Sequence, residues 1–535
     1  MHNILAEITA LDRSKINTIR VGCTPAGNRP DTGADTTVVG GTVTDYLAHI
    51  PQTTLPTATP ANTWMAGRLA NPFNFELSLW NGLEPRGRVV PGAGALAIDD
   101  PADDLVGWRH YVWRGARVQL WPCEVRSGKT ADTDDRLADL AVDGIEVGRK
   151  GKTLRLRTLD YIFNAPLLTE RYGGSGGEDG DPELAGVLKP LLIGYAFNLQ
   201  PLLIAKTPRI YQVSQIVAGT SVGNLNAVDA ARDGGAPLTL VGDYPDYAAL
   251  AAATLSVNQL ATCLDRGLVR TGGSVQRALT LDVRASFDNG ISTLVSVLVN
   301  NFAAKGRLTE SLVSGVAGDA GLYIREQVSI GQALDRVMAS TPEVLYVDLG
   351  REIRNWKIAA PSASASRTYY WGRDIVGEPQ IVDVPPRRGT NVFYQQNWTP
   401  QGPGDLDPTL ADDLKRLYGQ AAQQAIGLST GGGAWADSAV VDVPSLLRYA
   451  ADAQVHMQTW NELFGVARQI VTVPVRWLQP DELNTKANVG PLYDLTATIA
   501  LDGLDLYGIA ASRRWRVIGV AGNWRSRTLT LKLWG

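Results

Sequence analysis

Leu184-Ala-Gly-Val-Leu-Lys-Pro-Leu-Leu-Ile-Gly-Tyr-Ala-Phe-Asn-Leu-Gln-Pro-Leu-Leu-Ile204, followed after a short polar break by Arg209-Ile-Tyr-Gln-Val-Ser214, decides how this chain is read. Three apolar runs of strand length, 187–193, 199–204 and 210–213, are punctuated by Pro190, Gly194, Pro201 and Pro208. Proline cannot donate to a central ladder and glycine tolerates positive φ, so the punctuation predicts short strands joined by tight turns, a compact apolar hairpin. Upstream lies Arg171-Tyr-Gly-Gly-Ser-Gly-Gly-Glu-Asp-Gly180, read as a flexible loop because glycine gives the backbone too much freedom to hold one shape unaided. A flexible loop feeding a hairpin has the outline of a docking or hinge element rather than of an active site.

Composition bounds what surrounds that stretch. The chain has 535 residues, more than one hydrophobic core usually serves, and three or four domains are expected. Hydrophobic residues make up 44 % and charged residues 19 %, the balance of an ordered globular protein, and the 55 glycines and 29 prolines favour turn-rich β architecture. A formal charge of −4 offers no broad attraction to nucleic acid or anionic membrane. Cys23, Cys123 and Cys263 are odd in number and far apart, so they suggest neutral thiols rather than a disulfide framework or a CxxC metal site. The sequence suggests neither a signal peptide nor an apolar run near the roughly 20 residues that span a bilayer.

Taken in order, residues 1–165 read as β-rich, with alternation at Thr18–Val21, Asn74–Trp80, Arg117–Trp121 and Thr153–Arg157 and a long polar loop at Pro51–Asn62. A second region, 166–279, holds the glycine-rich loop, the hairpin, a polar connector at Ala218–Pro237 and a helix within Tyr247–Leu260. A small α+β region, 280–375, follows: a strand at Thr280–Arg284, helices at Ile291–Ala304 and after the N-cap Ser329, and strands at Val344–Val347 and Glu352–Ile358. Ala359-Ala-Pro-Ser-Ala-Ser-Ala-Ser366 reads as a linker. The last region, 376–535, is β-rich with helices: a strand at Asn391–Trp398, helices within Thr409–Ala425, Leu446–Ala453 and Thr459–Ile470, and closing strands at Arg514–Val520 and Thr528–Trp534.

The motifs with chemical meaning fail on context. Gly173-Gly-Ser175-Gly-Gly177 matches G-x-S-x-G, but a nucleophile elbow needs a buried strand before it and a helix after it. Gly-Lys-Thr occurs at 128–130 and 151–153, yet the glycine that a phosphate loop needs five positions before the second one is Cys123 or Glu146, so both read as turns with solvated lysines. The aspartates of Asp99–Trp108 lack calcium-loop spacing and suit turn chemistry. His2, His49, His110 and His456 form no metal-binding pair. No catalytic, cofactor-binding or metal-ligating residue is therefore nominated. Tryptophans cluster at 108, 113 and 121 and again at 515, 524 and 534, as they do in cores and at protein interfaces; exposed platforms for sugars or bases are the alternative.

The pattern G-x-x-K-P-L-x-x-G-x-x-x-N-x-x-P-x-L-I from Gly186 to Ile204, then Ile210-Tyr-Gln-Val213, together with Asp99–Pro122, Leu154–Leu168 and Asn391-Val-Phe-Tyr-Gln-Gln-Asn-Trp-Thr399, resembles tail proteins of long-tailed bacteriophages of the baseplate or tail-tip hub group. The resemblance implies a multi-domain, predominantly β chain with smaller α+β parts and two tube-like β-barrel or sandwich domains, here 1–165 and 376–535. It implies a structural, non-enzymatic virion protein made in the host cytoplasm and carried at the tail tip, without a cofactor. It further implies a homotrimer closing the distal tube, in contact with the distal tail protein, the tape measure protein and a tail fibre or receptor-binding protein during host attachment and genome ejection. The implied protein has no membrane-spanning segment and binds no specific nucleic acid. The competing readings are a tail-associated hydrolase of envelope polysaccharide or peptidoglycan, and a carbohydrate-binding tail protein.

Overall fold

The computed structural model describes residues 2–12, 42–48, 52–53, 64–71, 74–80, 82, 85, 87–89, 92–102, 105–124, 129–130, 138–148, 150–286, 290–303, 318–349, 353–428, 438–476, 495–523 and 528–535. The fold is predominantly β, with six sheets and five short α-helices among these residues.

The strand Leu191–Leu199 runs straight through Gly194, and all nine of its residues are buried. It is no arm of a hairpin: it pairs on one side with Leu279–Ala285 and on the other with Gly321–Ile324. Leu191 and Ile193 pack into one apolar cluster while Leu192 and Ala196 pack into another. A strand covered on both faces needs an unbroken apolar run, which is why no alternation marks it. Gly194, at φ 80°, fits because a side chain there would collide with the carbonyl of Ala320. The second and third runs do form a hairpin, Leu202–Ala205 with Ile210–Gln212, but in a different five-stranded sheet.

Several local expectations change with this topology. The connector at 218–237 contains a bulged strand, Leu225–Asp233, added to Leu279–Ala285; its alternation is blurred by two register shifts. The helix expected within 247–260 is only Tyr247–Ala252 (α1), capped by Asp246, after which Gln259–Cys263 is a strand. The helix at 291–304 is α-helical over Ile291–Val297 (α2) and continues as a π-turn over Leu298–Phe302. Ser329 caps Ile330–Met338 (α3) in a full capping box with Gln332. Within 409–425 the helix is Asp412–Gly419 (α4), and a strand starts at Gln423. The two helices expected between 446 and 470 are one, Ala450–Phe464 (α5), before the strand Arg468–Arg476. The strand expected at Thr18–Val21 lies outside the described residues, as does most of the Pro51–Asn62 loop.

The two largest sheets come from the two ends of the chain. One joins His2–Asp12, Tyr111–Glu124, Ala138–Val147, Gly151–Arg157 and Ala95–Asp99; the other joins Arg468–Arg476, Thr528–Trp534, Arg514–Asn523 and Thr498–Asp502. Among the described residues the strand order of each is open. Asn74–Ser78 crosses over: it pairs with Arg514–Asn523, from Ser78 opposite Gly519 to Asn74 opposite Asn523. One apolar cluster accordingly runs from Leu77, Trp80, Val118 and Leu154 to Val473, Leu531 and Trp534. The segment 359–366 is held against the C-terminal sheet, where Arg514 and Arg516 donate to the carbonyls of Ala363 and Ala360.

Candidate functional site

Where the last turn of α3 meets α5, a cavity of about 330 Å³ opens between segments distant in sequence. The last turn of α3 and the residue after it contribute Met338 and Ala339; Thr341 sits in the turn that follows, its N–H on the Met338 carbonyl at 3.1 Å, and Glu343 begins the next strand. Trp460 from α5 and Ile358 supply apolar wall, and Val441, Asp442 and Val443 also line it. Gly87 and Arg88 complete the rim, anchored by Asp335, whose carboxylate accepts from the Arg88 backbone N–H at 3.2 Å. Burial raises the pKa of the Asp335 carboxyl against the pull of Arg88.

Three polar side chains of this lining, Thr341, Glu343 and Arg387, are buried. The Arg387 guanidinium lies 4.7 Å from the Trp460 ring centroid and 4.8 Å from that of Phe464, a cation–π arrangement inside the protein. Glu343 is buried and accepts from Asn355 at 2.6 Å. Among the described residues, the buried Thr341 hydroxyl has no hydrogen-bond partner. Behind Trp460, its indole N–H donates to His456 Nε2 at 3.1 Å; burial first, and the charge of Arg387 also, push the His456 pKa down to about 4. A mostly apolar concavity with a few converging polar groups is the usual form of a binding site. No side chain of the cavity lining is arranged as a nucleophile with its base.

Apart from His456 behind Trp460, the described residues weighed from sequence lie outside this lining. Ser175 donates to the Asp179 carboxylate at 2.8 Å, and the Gly173 N–H does so at 2.9 Å. The glycine-rich segment is thus closed on itself around Asp179, whose pKa these two bonds lower, and the expectation of an unheld loop fails. Buried Tyr172 anchors its base on Gln212. Lys152 is no solvated turn lysine: it is buried in a strand and paired with Asp100, which also meets Arg68 at 3.2 Å. Alternation on Gly151–Arg157 turns Lys152 inward with Leu154 and Leu156. Lys129–Thr130 form a short strand on Cys123 and Glu124. Cys263 is buried, its thiol pKa pushed up to about 11; Cys23 lies outside the described residues. Trp108, Trp113, Trp515 and Trp534 are core, and Trp371 is exposed. Among the described residues no group of three or more His, Cys, Asp or Glu side chains is placed to hold a metal ion. No helix among them is long and apolar enough to cross a membrane.

Sequence reading passed over Thr341, Glu343, Arg387 and Trp460, because they come together only through packing. The one local signal was the i, i+4 spacing of His456 and Trp460.

No family model and no curated protein matches the sequence. Among solved structures, the chain is similar to the 43 kDa tail protein of prophage MuSo2 from Shewanella oneidensis, at 8 % identity over 88 % of this chain and 96 % of that one, with a TM-score of 0.41. It is similar to the tail protein from Neisseria meningitidis MC58, at 11 % identity over 88 % and 94 %, with a TM-score of 0.38. A chain from the virion of a native gene transfer agent particle shares 14 % identity over 65 % and 84 %, with a TM-score of 0.40.

Proposed function

We propose that this chain is a structural virion protein of a phage-type tail, a baseplate or tail-tip hub that joins the tube to the parts that meet the host. The observation that carries the reading is a buried joint between the two segments on which the sequence resemblance chiefly rests. Asn198, in the 184–214 stretch, donates to Asn397 and to the Thr399 carbonyl at 3.0 and 2.9 Å, and Asn397 donates onward to the Tyr418 and Gln420 carbonyls. Motif residues almost two hundred positions apart thus serve one structural purpose, which supports treating them as a single signature. In this reading the β-rich segments 1–165 and 376–535 face the tube, and 166–279 and 280–375 form the body between them. The chain assembles as a homotrimer, contacts the distal tail protein, the tape measure protein and a fibre or receptor-binding protein, and catalyses no reaction.

Purified particles imaged by electron cryomicroscopy test this directly. Three copies at the distal end of the tail are expected. A six-copy ring along the tube, or absence of the chain from intact particles, would overturn the reading.

A further inference from the structure

The strand Thr239–Asp243 is exposed at all five residues. It ends a five-stranded sheet and pairs in parallel with Gln259–Cys263 on its inner side. That inner neighbour is buried from Leu260 to Cys263: Leu260 packs into one apolar cluster, Ala261 and Cys263 into another. The layers that cover it do not reach the outer strand, where Leu240 and Val241 are 42 % and 43 % exposed. Val257, 71 % exposed, lies beside the start of the strand, where the Thr239 N–H donates to the Asn258 carbonyl at 2.9 Å. Pro237 and Pro245 bracket the strand and confine the free edge to 239–243.

Backbone and charge together say what this edge takes. The ladder with Gln259–Cys263 skips Val241, and among the described residues no backbone-to-backbone hydrogen bond joins 240–243 to any other segment. Unused N–H and C=O groups along a sheet edge are met by an incoming strand. Asp243 accepts from the Thr262 hydroxyl at 2.8 Å and the Leu264 N–H at 2.9 Å, and Asp246 accepts from the Ala249 N–H at 2.8 Å. These donors are neutral, and among the described residues neither carboxylate forms an ion pair. The sequence from 234 to 265 holds no lysine, arginine or histidine. A second copy of this edge would bring further carboxylates and no cation, so the complement is an apolar strand with a basic flank.

We propose that Thr239–Asp243 is a docking edge for an extended segment of another protein, apolar at its centre and carrying lysine or arginine where it passes Asp243 and Asp246. The segment adds as a sixth strand to the five-stranded sheet and covers Leu240, Val241 and Val257. Antiparallel addition, the more stable ladder, sets its basic end at the N-terminus, beside the C-terminal end of 239–243 where both aspartates lie. The inference goes beyond the virion reading and does not depend on it.

The test uses the full chain and the peptide acetyl-Lys-Lys-Thr-Val-Ile-Val-Thr, rhodamine-labelled at its C-terminus and followed by fluorescence anisotropy. Saturable binding is expected, retained when one set of alternate backbone N–H groups is N-methylated and lost when the other set is. Val241→Lys, at an exposed position, should leave the thermal midpoint unchanged and weaken binding about ten-fold, through lost apolar contact and repulsion of the lysines. Asp243→Asn with Asp246→Asn keeps both acceptors, and should weaken binding about five-fold and remove its salt dependence. No binding at millimolar peptide would overturn the proposal, as would equal binding of both methylated forms or binding untouched by Val241→Lys. Equal binding of a peptide with glutamates in place of the lysines would overturn the basic partner. A fall in the sedimenting mass of the chain alone on Val241→Lys would show the edge covered by a second copy, and the proposed occupant would be wrong.

Discussion

The side-chain amide of Asn198 donates to Asn397 Oδ1 at 3.0 Å, across 199 positions of sequence. Around it, Asp282 accepts from the Asn198 backbone N–H at 3.0 Å and from Arg232 at 2.8 Å, while Arg232 lies 5.0 Å from the Tyr418 ring centroid. A buried network of this kind specifies one arrangement of the strands that carry it, because each member lost leaves the others unsatisfied. Asn198 also marks a change in the strand itself: its φ is 53°, and between Ala196 and Leu199 the pairing with Leu279–Ala285 shifts register.

Substitutions at Asn198 separate conformation from bonding. Asn198→Ala loses the network and leaves in the left-handed region a residue that tolerates it less well than asparagine, for a combined cost of about 3 kcal/mol. Asn198→Gly loses the same bonds without that strain and should be about 1 kcal/mol less costly. Urea unfolding midpoints measure the difference; equal midpoints would mean that the backbone at 198 stores no strain.

Acid lability should trace to His456. Its folded pKa, about 4, lies below the ordinary 6.5, because burial opposes its charge. As pH falls below 6.5 the unfolded chain takes up a proton that the folded chain refuses. The stabilisation is therefore complete above pH 6.5 and falls until pH 4, by about 3 kcal/mol in all. His456→Gln keeps an acceptor for the Trp460 N–H and removes the titration. The stability difference between the two proteins should then vary across that window and be flat above it; a constant difference would mean that His456 does not titrate there.

The strand Thr528–Trp534 should prove indispensable. It is internal, paired with Arg468–Arg476 on one side and Arg514–Asn523 on the other. Trp534 is fully buried, its ring 5.1 Å from Trp80 and 5.7 Å from Phe464, so it fastens an N-terminal segment to the C-terminal sheet. Trp534→Ala should cost about 3–5 kcal/mol, and deletion of 528–535 should leave no soluble folded chain. A soluble deletion variant with native far-ultraviolet circular dichroism would contradict this.

At the glycine-rich segment, Asp179 matters and Ser175 does not. Ser175→Ala removes one exposed hydrogen bond and should leave the thermal midpoint unchanged and, under the proposed virion role, particle infectivity too. Asp179→Ala frees both Gly173 and Ser175, and should raise the rate of proteolytic cleavage within 171–181. Loss of infectivity in Ser175→Ala particles of normal assembly would instead give that hydroxyl a chemical role.

What the sequence determined by itself was local. Alternation on Gly151–Arg157 and Thr528–Trp534, the Ser329 cap with Gln332 three residues on, and the helical spacing of Ile291, Leu294, Val295 and Leu298 all fix structure within one turn or one pleat, at a range the chain itself sets. Tertiary structure decided what each element meets. Leu191–Leu199 looked like a hairpin arm because a run buried on both faces has no period to reveal its neighbours, and those neighbours lie about 90 and 130 residues downstream. The crossing of Asn74–Ser78 into the C-terminal sheet, the inward turn of Lys152 onto Asp100, and the meeting of Thr341, Arg387 and Trp460 at one cavity depend likewise on contacts between distant segments. Periodicity tells which face of an element is apolar; only packing tells which partner covers it.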